Sequence, residues 1–101
     1  MPRTRVKVMW DYDAFPLWEA SVENLISPSL RSELQGWSDE WTDVMTGSDQ
    51  KDWTPPGREQ FETWDHRGRL LARRLQEELG AEYAVVYFNE TTETPEPLDP
   101  D

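Results

Sequence analysis

The sequence has no cysteine and one histidine, and its 101 residues include only 10 lysines and arginines. Without cysteine there is no disulfide and no thiolate metal site, and a small domain without disulfides favours the cytoplasm. No apolar run approaches the roughly 18 residues of a membrane helix, so we expect no membrane span. No apolar leader precedes the first strand pattern, so we also expect no signal peptide.

Motifs of common enzyme classes are also missing. The sequence contains no G-x-G-x-x-G, G-x-x-x-x-G-K-[ST], H-E-x-x-H or G-x-S-x-G pattern. His66 is the only histidine, and no recognisable motif places a nucleophile or an acid beside it. We therefore predict a non-enzymatic protein with no catalytic residue, no metal and no cofactor.

One arrangement of carboxylates leaves an alternative open. Asp11 and Asp13 follow the first predicted strand, and Glu90 follows the last. If these strands run parallel, the three carboxylates meet at one edge of the sheet, where oxygen ligands could hold Mg²⁺ or Ca²⁺. The alternative is a small metal-binding or enzymatic domain that uses these three residues.

Charge of one sign dominates the composition. Aspartate and glutamate number 21, the formal charge is −11 and the pI is about 4.4. The acidic excess lies in residues 8–54 and in the C-terminal tail, whereas the second predicted helix is balanced. This charge disfavours direct binding to nucleic acid or to anionic membranes and favours a basic protein partner.

The first half of the chain predicts a strand, an edge strand and a helix. Alternation over residues 5–10 indicates a half-buried strand, and weaker alternation over residues 17–22 indicates an edge strand that hairpins back on it. Ser27 and Pro28 are a typical helix start, and apolar residues recur at helical spacing from there to Gly47. Gly36 lies beside this apolar stripe, lowers helix propensity by roughly 1 kcal/mol and permits close approach of another element.

The second half predicts a longer helix that runs into a strand. The helix restarts at Thr54 and ends at Gly80, and residues 82–89 are apolar on both faces, as in a central strand. Gly68 lies on the apolar face of this helix and indicates close backbone approach to the sheet or to the first helix. That face is formed by Phe61, Trp64, Gly68, Leu71, Leu75 and Leu79.

These elements predict a two-layer α+β fold with the order β-(β)-α-α-β, a helical hairpin packed on a small two- or three-stranded sheet. Residues 1–90 are expected to form a single domain, and residues 91–101 a disordered acidic, proline-rich tail. One face of the sheet should remain uncovered and carry Tyr83, Val85 and Tyr87 or their alternates. A homodimer through that face is therefore one alternative function.

We expect the arginines of the second predicted helix to form ion pairs within the chain rather than an anion-binding site. Arg67, Arg69, Arg73 and Arg74 flank its apolar face, and we expect them to pair with the acidic first helix and with Glu77 and Glu78.

Tryptophan is abundant, with six in the chain, and two of them lie among acids on the first helix. Carboxylates around an aromatic anchor suit a basic partner, because charge steers the encounter and a desolvated ring stabilises the complex. The alternative is a solvated acidic face whose tryptophans point inward. The predicted partner-binding residues are Trp37, Asp39, Glu40, Trp41 and Asp43, together with Trp53 in the loop over residues 46–57.

Three segments resemble a group of short, uncharacterised acidic proteins of actinobacteria and their phages. These segments are residues 8–12 with 15–18, residues 27–37, and residues 68–80 before the last strand. This group has no assigned activity, so the resemblance implies no site residue. In size, acidity and aromatic content the chain is also similar in kind to barstar-type nuclease inhibitors, whose last helix likewise runs into a final strand.

The leading hypothesis is a non-enzymatic acidic interaction module that binds and inhibits a basic protein, such as a nuclease toxin or a nucleic-acid-binding factor. A second hypothesis is a phage-type DNA mimic, whose carboxylates are spaced like phosphates and whose partner is a DNA-binding protein.

Overall fold

The chain forms two long helices and four strands in the predicted order, with one strand added at the end. The computed structural model describes residues 4–11, 15–20, 22–46 and 57–98. The strands are β1 (Thr4–Val8), β2 (Leu17–Trp18), β3 (Tyr83–Asn89) and β4 (Thr94–Pro97), the helices are α1 (Pro28–Thr46) and α2 (Arg58–Leu79), and a short 3-10 helix (Glu23–Leu25) precedes α1.

The four strands form one sheet with the order β2-β1-β3-β4. β1 and β3 are parallel neighbours at its centre, and β2 and β4 pair antiparallel to them at the two edges. α1 packs against α2, and α2 packs against β3. This arrangement confirms the predicted α+β fold, a helical hairpin packed on a small sheet.

The predicted edge strand is present but short. Leu17 pairs with Val8, and Trp18 pairs with Lys7, in antiparallel register. Glu19 then has a φ of 74°, a left-handed conformation that ends the extended backbone. The alternation over residues 17–22 therefore predicted the direction of pairing and overestimated the length of the strand.

The fourth strand corrects the prediction of a disordered tail. Thr94–Pro97 pairs with residues 86–89 of β3. The side-chain oxygen of Asn89 accepts hydrogen bonds from the backbone N–H groups of Thr91 and Thr92, at 2.9 and 3.1 Å, and this turn reverses the chain. Composition did not predict this strand because its order comes from hydrogen bonds rather than from apolar burial; residues 99–101 lie outside the described ranges.

The core lies between the helix pair and one face of the sheet. Alternate residues of the strands are buried on that face, whereas Ala84, Val86 and Phe88 on the other face of β3 are only partly buried. The uncovered face therefore carries the residues that alternate with Val85 and Tyr87 along β3. The largest fully buried side chains are Trp37, Trp64, Tyr87, Leu30, Leu34 and Leu75, and Val6, Val8 and Val85 of the sheet are also buried.

Gly68 confirms the predicted close approach on α2. A Cβ atom at this position would lie 2.6 Å from Cζ2 of Trp37 and 2.8 Å from both Cε1 and the hydroxyl oxygen of Tyr87. Separations below about 3 Å do not occur between unbonded carbon atoms, so only glycine fits between the first helix and the sheet.

Ser27 begins α1 as predicted and also joins the two helices. Its Oγ accepts a hydrogen bond from the N–H of Leu30 at 3.1 Å, which is the N-cap arrangement. The backbone N–H and the hydroxyl of Ser27 donate to the carboxylate of Glu78, at 2.7 and 2.8 Å. The backbone hydrogen bond is the main cause that lowers the pKa of Glu78.

A polar network connects α2 with β3 and β4. The hydroxyl of Tyr87 donates to Asp65 at 2.7 Å, and the guanidinium of Arg69 lies 4.9 Å from the centre of the Tyr87 ring. Arg69 also pairs with Asp65 and, at 2.8 Å, with Glu96 of β4. Glu96 accepts a further hydrogen bond from Asn89 at 3.1 Å, so the added strand is held by side chains as well as by backbone pairing.

Candidate partner-binding surface

The outward side of α1 is acidic. Asp39, Glu40 and Asp43 are exposed, as the sequence predicts. Glu40 pairs with Arg67 of α2 at 2.5 Å, and Asp39 accepts a hydrogen bond from Gln35 at 2.8 Å. Among the described residues, no ion pair involves Asp39 or Asp43. No cationic side chain of the described residues therefore pairs with these two carboxylates.

The tryptophans of α1 point inward, which corrects their predicted role as partner anchors. Trp37 is 1% exposed and Trp41 is 8% exposed. Trp41 stacks on Trp64 with ring centres 4.6 Å apart and meets the edge of Phe61 at 5.7 Å. The structure agrees with the alternative, an acidic face whose tryptophans point inward, because the indoles fill the space between the helices. Trp53 lies outside the described residues.

Of the four arginines that flank the apolar face of α2, two pair with acids of α1, as expected. Arg67 pairs with Glu40, and Arg74 pairs with Glu33 and, at 3.6 Å, with Glu78. Arg69 differs, because its partners are Asp65 and Glu96 on the side of α2 that faces β4. The positive charge between the helices is therefore neutralised within the chain, and the net charge of the α1 surface is negative.

Two clefts border the middle of α1. The first has a volume of about 520 Å³ and lies between the helices, with Trp37 and Leu71 at its base and the half-exposed Leu70 at its side. The second has a volume of about 690 Å³ and lies on the side of α1 that faces Phe15 and the 3-10 helix. Gly36 lines both clefts. Sequence reasoning marked Gly36 as permitting close approach but missed Leu70, an apolar residue that lies outside the predicted apolar stripe of α2.

The carboxylates considered for a metal follow β1 and β3, at the edge of the sheet where these two parallel strands end. β1 and β3 are parallel, and the charges of Asp11 and Glu90 are close enough to repel. Burial, together with the negative charges of Asp65, Glu93 and Asp11, raises the pKa of Glu90 to about 7. Within the described ranges, no group of three or more Asp, Glu, His or Cys residues is placed to hold a metal ion. Asp13 lies outside those ranges.

No helix in the described part of the chain has the length and hydrophobicity needed to cross a bilayer.

The fold is a small α+β fold whose first helix carries an exposed acidic face. A family model described as Serratia CdiI immunity protein-like matches residues 4–90, and the chain belongs to this family. The match covers every helix, the first three strands and all predicted binding residues. Membership indicates an immunity protein, a protein-binding inhibitor of a toxin. No curated protein matches the chain.

The family match supports one part of the resemblance drawn from the sequence. It agrees with the likeness in kind to protein inhibitors of toxins. It gives no support to the resemblance to actinobacterial and phage proteins.

Proposed function

We propose that this protein is a non-enzymatic immunity protein that neutralises a basic toxin by covering its cationic surface with the acidic face of α1. The observation that carries the proposal is the match of residues 4–90 to an immunity family. The charge of −11 supports a basic partner. Asp39 and Asp43 support the choice of face, because both are exposed and neither has a cationic partner among the described residues.

The physical basis is electrostatic steering followed by occlusion. An acidic surface attracts a basic domain over distances of about one Debye length, roughly 8–10 Å at physiological salt, and raises the association rate. A toxin that acts on nucleic acid needs its cationic surface to bind phosphate, so covering that surface would block its substrate. We therefore propose a nuclease or another nucleic-acid-binding protein as the target, with the cytoplasm as the site of action, the compartment that a cysteine-free small domain favours.

The test is capture followed by inhibition. The tagged full-length protein is incubated with host lysate at low and at high salt, and retained proteins are identified by mass spectrometry. We expect one basic protein in stoichiometric amount at low salt that is released at high salt. Expressed alone in a bacterial host, this protein should arrest growth, and co-expression of the immunity protein should restore it. The absence of any captured protein, or a captured protein without toxicity, would contradict the proposal.

Nuclease inhibition has a separate test. The captured toxin is assayed on duplex DNA and on RNA with increasing immunity protein. Cleavage that stops at a one-to-one ratio would support a nuclease target. If the captured protein is toxic but cleaves neither substrate, the protein is still an immunity protein, and its toxin acts by another chemistry.

A further inference from the structure

Gly36 is the one glycine within a helix of the described residues whose presence packing inside the chain does not explain. It lies in the middle of α1, where glycine disfavours the helix. A Cβ atom at this position would have no heavy atom within 4 Å, whereas a Cβ at Gly68 would collide with Trp37 and Tyr87. Nothing in the described chain approaches Gly36, so the close approach that a glycine permits is available to another molecule.

Position 36 is also where the surface is recessed. The two clefts that border α1 meet at Gly36, and the inter-helix cleft is flanked by Leu70, which is 48% exposed. A side chain at position 36 would project from this recess and narrow both clefts. The glycine therefore keeps open an apolar groove, here called the glycine groove, with Gly36 on its α1 side, Leu70 on its α2 side, and Trp37 and Leu71 at its base.

The glycine groove is continuous with the acidic face. Asp39, Glu40 and Asp43 follow Gly36 by three, four and seven residues, so all four lie on one side of α1. The two arginines on the α2 side of the groove are already paired, Arg67 with Glu40 and Arg74 with Glu33. Arg31 of α1 lines the other cleft and has no ion pair among the described residues. A basic partner drawn to Asp39 and Asp43 would thus meet only paired arginines on the α2 side of the groove.

We propose that the glycine groove receives an apolar side chain of the toxin, and that this contact sets the lifetime of the complex while the carboxylates set the rate of encounter. The inference rests on the proposed function, because the occupant is the basic toxin itself. The charges around the groove favour an occupant that carries basic residues beside an apolar one. An apolar anchor surrounded by charges that steer it is the usual division of roles in a protein interface.

The test measures dissociation of the toxin captured by the wild-type protein. Gly36→Gln fills the groove with a good helix former, and Leu70→Ser removes its apolar side. Ala81→Gln is the matched control, because residue 81 is exposed in the turn between α2 and β3. Thermal melts establish that each variant is folded, and Gly36→Gln should melt no lower than the wild type.

We expect Gly36→Gln and Leu70→Ser each to weaken binding about tenfold, mainly through faster dissociation, with Ala81→Gln unchanged. If the folded Gly36→Gln variant dissociates from the toxin at the wild-type rate, the inference is overturned and the proposed function is left intact. If the wild type captures no toxin, the proposed function fails first and the inference fails with it. A Gly36→Gln variant that associates more slowly but dissociates at the wild-type rate would also overturn the inference, because the groove would then affect the rate of encounter and not the lifetime of the complex.

Discussion

Trp37 and Trp64 each donate the indole N–H to the backbone carbonyl of the other, at 2.9 Å in both directions. Their rings are stacked with centres 4.4 Å apart and an angle of 3° between the planes. Both side chains are 1% exposed, so each N–H has a partner where no water is available. This reciprocal pair fixes how α1 lies on α2 and thereby holds the acidic face and the glycine groove in place.

Replacing Trp64 by phenylalanine tests this pair. The variant loses one buried hydrogen bond and part of the stacked ring, so we expect the free energy of unfolding to fall by about 2–4 kcal/mol. Urea denaturation measures the loss, with the exposed Arg73→Gln on the same helix as the control. A loss no greater than that of the control would contradict a structural role for the pair.

The two helical glycines should respond in opposite directions to the same substitution. Gly68→Ala places a methyl group against Trp37 and Tyr87, and we expect it to lower the free energy of unfolding by about 1–3 kcal/mol. Gly36→Ala meets open space and gains helix propensity, so it should raise that free energy by up to about 1 kcal/mol. Both values come from denaturant titrations, and effects of the same sign would refute the packing described for one of the two positions.

Glu90 should make the fold less stable as the pH rises. Its pKa is raised from an ordinary value of 4.5 to about 7, so the folded state binds its proton more tightly than the unfolded state does. Between these two values the stability therefore falls with increasing pH.

Glu90→Gln removes this effect. We expect it to raise the free energy of unfolding above pH 7, by about 1–3 kcal/mol at 1.36 kcal/mol per pKa unit, and to have little effect near pH 4.5. Unfolding measured at both pH values for the variant and the wild type checks the sign. If the free energies of unfolding of the variant and the wild type differ by the same amount at both pH values, Glu90 does not titrate in this way.

β4 should be held in part by the pair between Arg69 and Glu96. Glu96→Gln removes the charge of a half-buried pair at the edge of the sheet, so we expect a loss of no more than about 1 kcal/mol in global stability. The local effect should be larger, with faster amide hydrogen exchange in β4 and in its pairing partner β3. The hydrogen bond from Arg69 lowers the pKa of Glu96, so the wild-type strand should also loosen as the pH falls through that lowered value. Unchanged exchange in both strands would contradict this role of Glu96.

Local signals in the sequence predicted the features that depend on neighbouring residues or on steric limits. Ser27 before Pro28 predicted the start of α1, and Gly68 on an apolar stripe predicted close approach, because both follow from backbone geometry. The apolar residues on both faces of residues 82–89 predicted a central strand, and β3 lies between β1 and β4 in the sheet.

Features that depend on distant partners could not be read in this way. β4 is ordered by Asn89 and Arg69, residues outside the strand, and its composition alone indicates disorder. Trp37 and Trp41 flank acids in the sequence, and only the position of α2 determines that their rings point inward. The pKa of Glu90 depends in the same way on Asp65 and Asp11, which are distant in sequence.

The most direct test of the central claim is the association rate of the captured toxin with three forms of the protein at increasing salt. The forms are the wild type, Asp39→Asn with Asp43→Asn, and the control Glu77→Gln with Glu82→Gln, which removes the same charge at exposed positions away from the α1 face. The account predicts that the α1 variant associates about three- to tenfold more slowly at low salt and responds less to added salt, while the control stays close to the wild type. Equal rates for the two variants would mean that the net charge, and not the acidic face of α1, directs the toxin to this protein.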